Sequence, residues 1–364
     1  MLNWIELKKQ YVDLIETDFW PYWTPLDDAE YGGILNCITN DGSKQLSDHK
    51  FSWSQGRYLW VLSELIDLSR KGILTKLDEK DLLAKAERTK NFLLEQCISP
   101  NHEVYYLLTR EGQPVADERT GQVFASIFSD CFVSIGLSNY IRATGDKNSF
   151  EPAKLLFLSI VKRIQSGNYL TEPYPIPGGY VSHSIPMILL NTAIEFEKAL
   201  LTINNQEDLK FCLAAQDYAQ DQIMKIFFNP ETSLMREYVS TDENFNTKLQ
   251  DRHAIEDTWF LLEYYTRRGL LEQNFSRLET LAQNSWEIGW DEEFGGLLRF
   301  VDKEGGEPEG EAGQDAFEKL IQDTWSMKLW WPHSETLYTF LKLYSINPSK
   351  KNEQIYLKSA DYIF

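Results

Sequence analysis

The apolar residues of this chain recur mostly at the three-to-four spacing that is typical of amphipathic helices. One such run is Phe124, Phe128, Cys131, Phe132 and Ile135. The pattern predicts about a dozen helices and therefore an all-α protein. The predicted helices cover roughly residues 4–19, 53–60, 79–97, 124–135, 148–166, 184–202, 207–227, 252–268, 273–287, 316–328, 334–345 and 351–362.

Two short inserts between helices are near copies of each other. The first reads Asp-Ala-Glu-Tyr-Gly-Gly over residues 28–33, and an apolar strand and Asp41-Gly42 follow it. The second reads Asp-Glu-Glu-Phe-Gly-Gly over residues 291–296 and is also followed by an apolar strand. Because glycine pairs allow positive φ and Asp-Gly favours tight turns, both inserts are predicted to be hairpins. Weaker relatives lie at residues 104–112, 177–180 and 233–246.

A helix pair with a hairpin insert recurs about every 55–75 residues, which indicates a repeat architecture. An open stack of repeats needs polar capping repeats at both ends, and the sequence shows none. Closing the stack into a ring removes that need, so we predict an α/α toroid. Since no Pro-rich, Gly/Ser-rich or single-charge linker divides the sequence, residues 1–364 are predicted to form one domain.

Composition and charge narrow the function. The net charge of −19 argues against binding to nucleic acid or to an anionic membrane, and it favours a neutral or cationic small ligand. Aromatic residues make up 13% of the chain, and aromatic rings stack on the apolar faces of sugars. The absence of a signal-like N-terminus and of a long apolar run, together with four widely spaced cysteines, predicts a cytoplasmic protein.

His253 and Glu256 form the first candidate for catalysis. On a helix, residues at i and i+3 are neighbours, and a carboxylate beside an imidazole orients it and raises its basicity, as a general base requires. The alternative is an ordinary helix start, with Asp251 as the N-cap and Glu256 in solvent. Spacing alone leaves both interpretations open.

Two further candidates lie at helix starts. Pro332 fits the start of a helix, and Trp331 and Glu335 would then stand at i, i+4 as a clamp for a sugar ring; the alternative is two core tryptophans and a capped helix. Arg57 shares a face with Trp53 and could stabilise an enolate, or it could form an internal salt bridge. No phosphate-binding loop and no metal-binding motif occurs in the sequence, so no cofactor and no metal are predicted.

Taken together, these segments resemble the N-acylglucosamine 2-epimerase family, which includes related mannose isomerases and cellobiose 2-epimerases. The resemblance runs from residue 15 to the end. It rests on Glu-Tyr-Gly-Gly at 30–33, the stretch 50–60, Ala-Thr-Gly-Asp at 143–146, the stretch 253–262 and Gly295-Gly296. Pro-Met-Ile-Leu-Leu-Asn at 186–191 and Lys-Leu-Trp-Trp-Pro-His at 328–333 are most similar to the N-acylglucosamine branch.

The resemblance implies an (α/α)6 barrel with its site in the central cleft. It also implies proton abstraction at C2 of an open-chain sugar through an enediolate, most simply with N-acetylglucosamine, N-acetylmannosamine or a simple aldose as the free monosaccharide. By position, His253 is an acid/base, Glu256 supports it, Arg57 holds sugar oxygens and Glu335 lines the site. A nucleotide is an allosteric effector of some family members, and a homodimer is considered for this chain. The matching stretches complete the substrate-binding set with Trp331, Trp53 and Tyr31.

Two departures from the family pattern keep alternatives open. The family's Phe-His-x-x-Arg motif, which carries a second catalytic histidine, does not occur in the chain, and Ile188 stands where two branches have histidine. We therefore consider His333 as a second acid/base, and a barrel whose C-terminal part is incomplete. The alternatives are a non-catalytic sugar- or protein-binding relative, and a toroidal glycoside hydrolase that uses Glu256 and Glu335.

Overall fold

A computed structural model of the chain describes residues 1–241, 249–250, 254–302, 304–309 and 316–364. Contacts divide the chain into two compact units. The N-terminal unit comprises Asn3–Pro173 and Asn191–Ala215, and the C-terminal unit comprises Met1–Leu2, Tyr174–Leu190 and Gln216–Phe364. That residues 1–364 form one domain stays a prediction.

Helices make up most of the N-terminal unit. Two helices end in glycines in the left-handed region, Gly145 at φ 71° and Gly167 at φ 68°, a conformation that glycine adopts without strain. A three-stranded antiparallel sheet lies beside the helices. The elements in chain order are α1 (Trp4–Leu14), α2 (Trp20–Trp23), β1 (Lys50–Phe51), α3 (Ser52–Arg70), α4 (Glu79–Phe92), β2 (Leu107–Leu108), β3 (Pro114–Val115), α5 (Ile127–Thr144) and α6 (Phe150–Ser166).

The division between the units falls within α7 (Ser184–Thr202) and α8 (Leu209–Gln222). In the C-terminal unit, short antiparallel strand pairs join β4 to β7, β5 to β6 and β8 to β9. The elements in chain order are β4 (Tyr180–Ser182), β5 (Phe228–Asn229), β6 (Leu234–Met235), β7 (Tyr238–Ser240), β8 (Leu249–Gln250), α9 (Ala254–Arg267), α10 (Leu271–Gly289), β9 (Val301–Asp302), α11 (Ala316–Thr324), α12 (Trp330–Ile346) and α13 (Lys350–Ile363).

Helices α3 and α5 approach each other closely through two glycines. A Cβ atom added at Gly56 would lie 2.3 Å from the carbonyl oxygen of Phe132, and one added at Gly136 would lie 2.4 Å from the carbonyl oxygen of Gly56. The backbones can therefore touch only because neither position carries a side chain. This contact fixes the part of α3 that carries Arg57.

Most observed helices differ from the predicted ones by a few residues at their ends, but α3 and α5 continue well beyond their predicted ends at residues 60 and 135, to Arg70 and Thr144. Helix α12 begins at Trp330, four residues before the predicted start, because Pro332 is tolerated in a first turn. The two Gly-Gly inserts form only single bridges, Asp27 to Ile34 and Trp290 to Leu297. The paired glycines with positive φ turn the chain away from the strand direction, so the next pair of residues forms no bridge. Among the described helices, none is long and apolar enough to cross a membrane.

Candidate active site

The two near-copy inserts form the same turn, one in each unit. In the first turn the N–H of Asp28 donates to Gly33 O at 2.9 Å, and Gly32 N–H donates back to Asp28 O at 2.7 Å. In the second turn Asp291 N–H donates to Gly296 O, and Gly295 N–H donates back to Asp291 O, both at 2.9 Å. We call these the N-terminal turn (residues 28–33) and the C-terminal turn (residues 291–296).

Each turn is held by a lysine that lies two residues before a helix, Lys50 before α3 and Lys328 before α12. Lys50 Nζ lies 2.9 Å from Asp28 Oδ2, and both side chains are fully buried. Lys328 Nζ lies 2.6 Å from Asp291 Oδ2, with Lys328 partly exposed. Burial raises the pKa of Asp28, but hydrogen bonds from Arg110 and Lys50 outweigh it and hold the pKa below its ordinary value. The hydrogen bond from Lys328 lowers the pKa of Asp291.

Five residues after each lysine, a side chain binds the main chain just beyond the glycine pair. Gln55 Oε1 accepts from Ile34 N–H at 2.7 Å, and His333 Nε2 accepts from Leu297 N–H at 2.8 Å. His333 Nδ1 donates to Leu329 O at 2.5 Å, so the main chain engages both ring nitrogens. Burial lowers the pKa of His333, which favours the neutral ring.

Three and seven residues after each lysine stand the predicted site residues. They are Trp53 and Arg57 on α3, and Trp331 and Glu335 on α12. The i, i+4 spacing puts each aromatic ring and its charged partner on one face of its helix. The repeated motif therefore presents a tryptophan and a guanidinium in one unit, and a tryptophan and a carboxylate in the other.

In the N-terminal unit, aromatic rings surround this face. Arg57 is exposed, and its guanidinium lies 3.8 Å from the centroid of the Phe132 ring. Trp53 stacks on Phe51 at 5.8 Å and meets Tyr106 edge-on at 5.5 Å. Cation–π contact and stacking hold these side chains in place while leaving polar atoms accessible.

Tyr31 lies on the N-terminal turn and is 38% exposed. The guanidinium of Arg110 lies 5.2 Å from its ring centroid and also donates two hydrogen bonds of 2.9 Å to Asp28. A hydrogen bond with Glu30 raises the pKa of Tyr31. The ring is thus held against the ion-paired turn and stays partly exposed.

In the C-terminal unit, α9 and α12 share a face of aromatic and charged side chains. Trp259 Nε1 donates to Glu335 Oε2 at 2.8 Å, and the Trp259 ring meets Tyr338 edge-on at 5.1 Å. One turn further along, Lys342 pairs with Glu263 at 3.1 Å. Trp259 is not among the site residues predicted from the sequence, yet its i, i+3 spacing from Glu256 could have placed it beside the site.

Glu256 is half-buried in the first turn of α9, close in sequence to Trp259. His253 lies outside the described residues, so its pairing with Glu256 stays a prediction. The structure thus brings Glu256, Trp331, His333 and Glu335 to the starts of two packed helices in the C-terminal unit. In the N-terminal unit it places Trp53 and Arg57 on α3 and Tyr31 on the N-terminal turn. Within the described residues, no group of three or more His, Cys, Asp or Glu side chains could hold a metal ion.

Paired helices with short strand-forming inserts define the class of all-α proteins that are built from helical hairpins. The chain is similar to the structure of cellobiose 2-epimerase from Bacillus thermoamylovorans B4167, with a TM-score of 0.74 and 16% identity over 98% of this chain and 87% of that one. This likeness confirms the predicted fold, an all-α (α/α)6 barrel with short hairpin inserts.

Residues 32–364 match the model of the N-acylglucosamine 2-epimerase (GlcNAc 2-epimerase) family, and the chain belongs to this family. It is 28% identical to N-acylglucosamine 2-epimerase from Bos taurus over 345 residues, covering 93% of this chain and 75% of that protein. It is 21% identical to a cellobiose 2-epimerase from Ruminococcus albus over 362 residues, covering 94% and 82%. The resemblance seen in the sequence and the expected class, a sugar epimerase or isomerase, are confirmed.

Proposed function

We propose that this protein interconverts N-acetylglucosamine and N-acetylmannosamine, or a simple aldose and its C2 epimer, by moving the proton at C2. The observation that carries the proposal is the face shared by α9 and α12. There Trp259 fixes the Glu335 carboxylate at 2.8 Å, beside Trp331 on α12 and Glu256 on α9. A flat aromatic surface next to fixed hydrogen-bond acceptors suits a sugar, which has apolar faces and hydroxyl edges.

In the proposed mechanism His253 takes the C2 proton of the open-chain sugar, and the electron pair of that bond forms an enolate with the C1 carbonyl, which is an enediolate where C2 carries a hydroxyl group. Glu256 orients the imidazole and stabilises its protonated form. The Arg57 guanidinium stabilises the negative oxygen, while Trp331 and Glu335 hold the ring atoms and hydroxyls. Return of a proton to the opposite face of C2 gives the epimer, and, for a sugar with a hydroxyl group at C2, return to C1 gives the ketose.

We propose a holding role for His333 rather than proton transfer. Its two ring nitrogens bind Leu297 N–H and Leu329 O, and the side chain is 3% exposed. A proton carrier needs a ring nitrogen that can reach substrate. The group that protonates the second face of the enediolate is therefore a different one.

The proposal of a cytoplasmic protein is supported by the thiols. All four cysteines lie within the described residues and none of them forms a disulfide there, with three buried and Cys37 half-buried. Reduced thiols of this kind are typical of a reducing compartment. The choice of a 2-acetamido sugar is supported by the higher identity to the bovine N-acylglucosamine 2-epimerase than to the cellobiose 2-epimerase of Ruminococcus albus.

The direct test is conversion of purified sugars. N-acetylmannosamine, N-acetylglucosamine, mannose and glucose are each incubated with the protein, and the products are separated by chromatography. We expect one epimeric pair to interconvert, and His253→Ala to abolish the conversion. His102→Asn is the matched histidine control, because asparagine tolerates the positive φ of 59° at that turn. Binding of a sugar without conversion would favour the non-catalytic relative, and release of reducing sugar from an oligosaccharide would favour the hydrolase.

A further inference from the structure

A buried histidine–aspartate pair connects the start of α7 to the first turn of α9. His183 Nε2 lies 3.0 Å from Asp257 Oδ2, and both side chains are fully buried. The sequence gives no sign of this pair, because His183 has no carboxylate at helical spacing. Its partner is 74 residues away in the sequence, directly after Glu256.

The main chain and a neighbouring ring fix His183 in position. Its N–H donates to Glu237 O at 3.0 Å, and its carbonyl accepts from Met187 N–H at 3.2 Å. Its ring packs against Phe227 with the centroids 5.5 Å apart. The two hydrogen bonds fix the main chain of His183 and the Phe227 ring packs against its side chain, so His183 is a firm anchor for Asp257.

The first turn of α9 is held on both sides of Glu256. On one side, Thr339 of α12 donates its hydroxyl to Ile255 O at 2.9 Å, in a buried hydrogen bond. On the other side, Asp257 binds His183. Hydrogen bonds away from water are electrostatically stronger than exposed ones. The direction in which Glu256 leaves the helix is therefore set by its two pinned neighbours.

We propose that His183 is a positioning residue for the C2 proton transfer and acts through Asp257 on Glu256; this inference rests on the function proposed above. A buried carboxylate that loses the hydrogen bond from His183 must strengthen its other contacts or move towards water. Either change rotates the first turn of α9 and displaces Glu256. Proton transfer is sensitive to such displacement, since a misplacement of about 1 Å can lower a rate by about 10²-fold.

The test compares His183→Ala with His183→Gln, whose amide N–H can still donate to Asp257. We expect His183→Ala to lower kcat for epimerisation by about 10²-fold while KM changes by less than about twofold. We expect His183→Gln to restore kcat to within about tenfold of the parent. A general loss of packing would not be rescued by the amide.

Asn352→Ala is the matched control for lost buried hydrogen bonds. Asn352 is fully buried and joins α13 to Gln283 and Glu279 of α10 at 2.8 and 2.7 Å. We expect this variant to lower Tm about as much as His183→Ala does, with kcat within about twofold of the parent. Should His183→Ala not fold, Asp257→Asn takes its place, with an expected loss in kcat of about tenfold.

Amide hydrogen exchange of residues 254–262, followed by mass spectrometry, gives a readout that needs no turnover. We expect faster exchange there in His183→Ala, intermediate exchange in His183→Gln and no change in Asn352→Ala. If the parent protein converts no sugar, the proposed function fails, and the hydrogen-exchange measurement alone then tests the inference. Unchanged exchange of that turn overturns the inference, and so does an active parent whose His183→Ala or Asp257→Asn variant keeps kcat within about twofold.

Discussion

The two Gly-Gly turns are held by the same kinds of contact, but the helices that follow them carry opposite charges at the matching position. Asp28 and Lys50 in one unit match Asp291 and Lys328 in the other. Seven residues after each lysine, however, the N-terminal copy carries Arg57 and the C-terminal copy carries Glu335. The positions that bind the main chain keep their role, while the position that faces outward from the helix changes its charge. Scaffold and chemistry are therefore separable within this motif.

The two copies also differ in how deeply they are buried. Lys50 donates to Asp28, Gly32 O and Arg110 O, whereas Lys328 donates to Asp291 and keeps 21% of its side chain exposed. Phe294, the counterpart of Tyr31, is 75% exposed. The N-terminal copy is thus the stronger structural anchor. Each variant below is paired with a variant at the matching position of the other copy, and the comparison of the two tests this difference.

The largest effect on stability is expected from the lysine anchors. Lys50→Met leaves Asp28 and two carbonyl groups buried with one donor fewer, at a cost of about 3–5 kcal/mol in the free energy of unfolding. Lys328→Met leaves a partly solvated Asp291, so its cost is about 1 kcal/mol. Urea unfolding of both variants measures the difference. Equal losses would show that the two anchors are equivalent.

The next effect concerns catalysis rather than stability. Arg57→Gln removes an exposed cation that we place at the enediolate oxygen, so kcat is expected to fall by about 10²–10³-fold. Glu335→Gln keeps an acceptor for Trp259 Nε1, so its loss is expected to be about tenfold and partly in KM. Steady-state epimerisation kinetics measure both losses, and Tm values equal to that of the parent protein show that neither loss comes from unfolding. A greater loss in Glu335→Gln than in Arg57→Gln would reverse the assigned roles.

A smaller effect is expected at the sixth position after each lysine. Gly56→Ala would put a methyl group 2.3 Å from Phe132 O, forcing α3 and α5 apart at a cost of about 2–3 kcal/mol. Its counterpart Ser334 is exposed, so Ser334→Ala is expected to change stability by less than about 0.5 kcal/mol. Thermal unfolding compares the two variants. A tolerated Gly56→Ala would contradict the close backbone contact described for these helices.

The smallest effect is expected when His333 is replaced by glutamine, the residue that stands at the matching position, Gln55, in the N-terminal copy. Burial lowers the pKa of His333 below its ordinary value of 6.5, so the unfolded chain binds a proton more readily than the folded one. Stability from this side chain is therefore complete above pH 6.5 and declines as the pH falls below it. His333→Gln copies Gln55 and should lessen the loss of Tm on acidification while retaining epimerisation. Loss of epimerisation with an unchanged Tm would instead make His333 an acid/base.

Much of the fold could be predicted from the sequence because helical periodicity is a local signal. The predicted helices at 184–202 and 79–97 correspond closely to observed segments. The resemblance further placed Arg57, Trp331 and Glu335 on helix starts, where the structure has them. The Gly-Gly inserts were recognised as copies, but the weak bridging across them depends on glycine φ angles, which a hydrophobic pattern does not encode.

The anchors of the site could not be predicted, since they join residues that are distant in the sequence. Lys50 and Asp28 are 22 residues apart, and His183 and Asp257 are 74 apart. Neither separation corresponds to a helical or strand period, so only the folded chain brings these partners together. His333 was singled out for its place in the cleft motif, and the structure shows its ring nitrogens bound to the main chain.

The central claim is that the chain removes the proton at C2 of a free sugar. The most direct measurement is the proton NMR spectrum of N-acetylmannosamine incubated with the protein in deuterated water. We predict that the C2 proton signal disappears as solvent deuterium replaces it, and that the N-acetylglucosamine formed carries deuterium at C2. A C2 signal of undiminished intensity, for this sugar and for N-acetylglucosamine, mannose and glucose alike, would contradict the account.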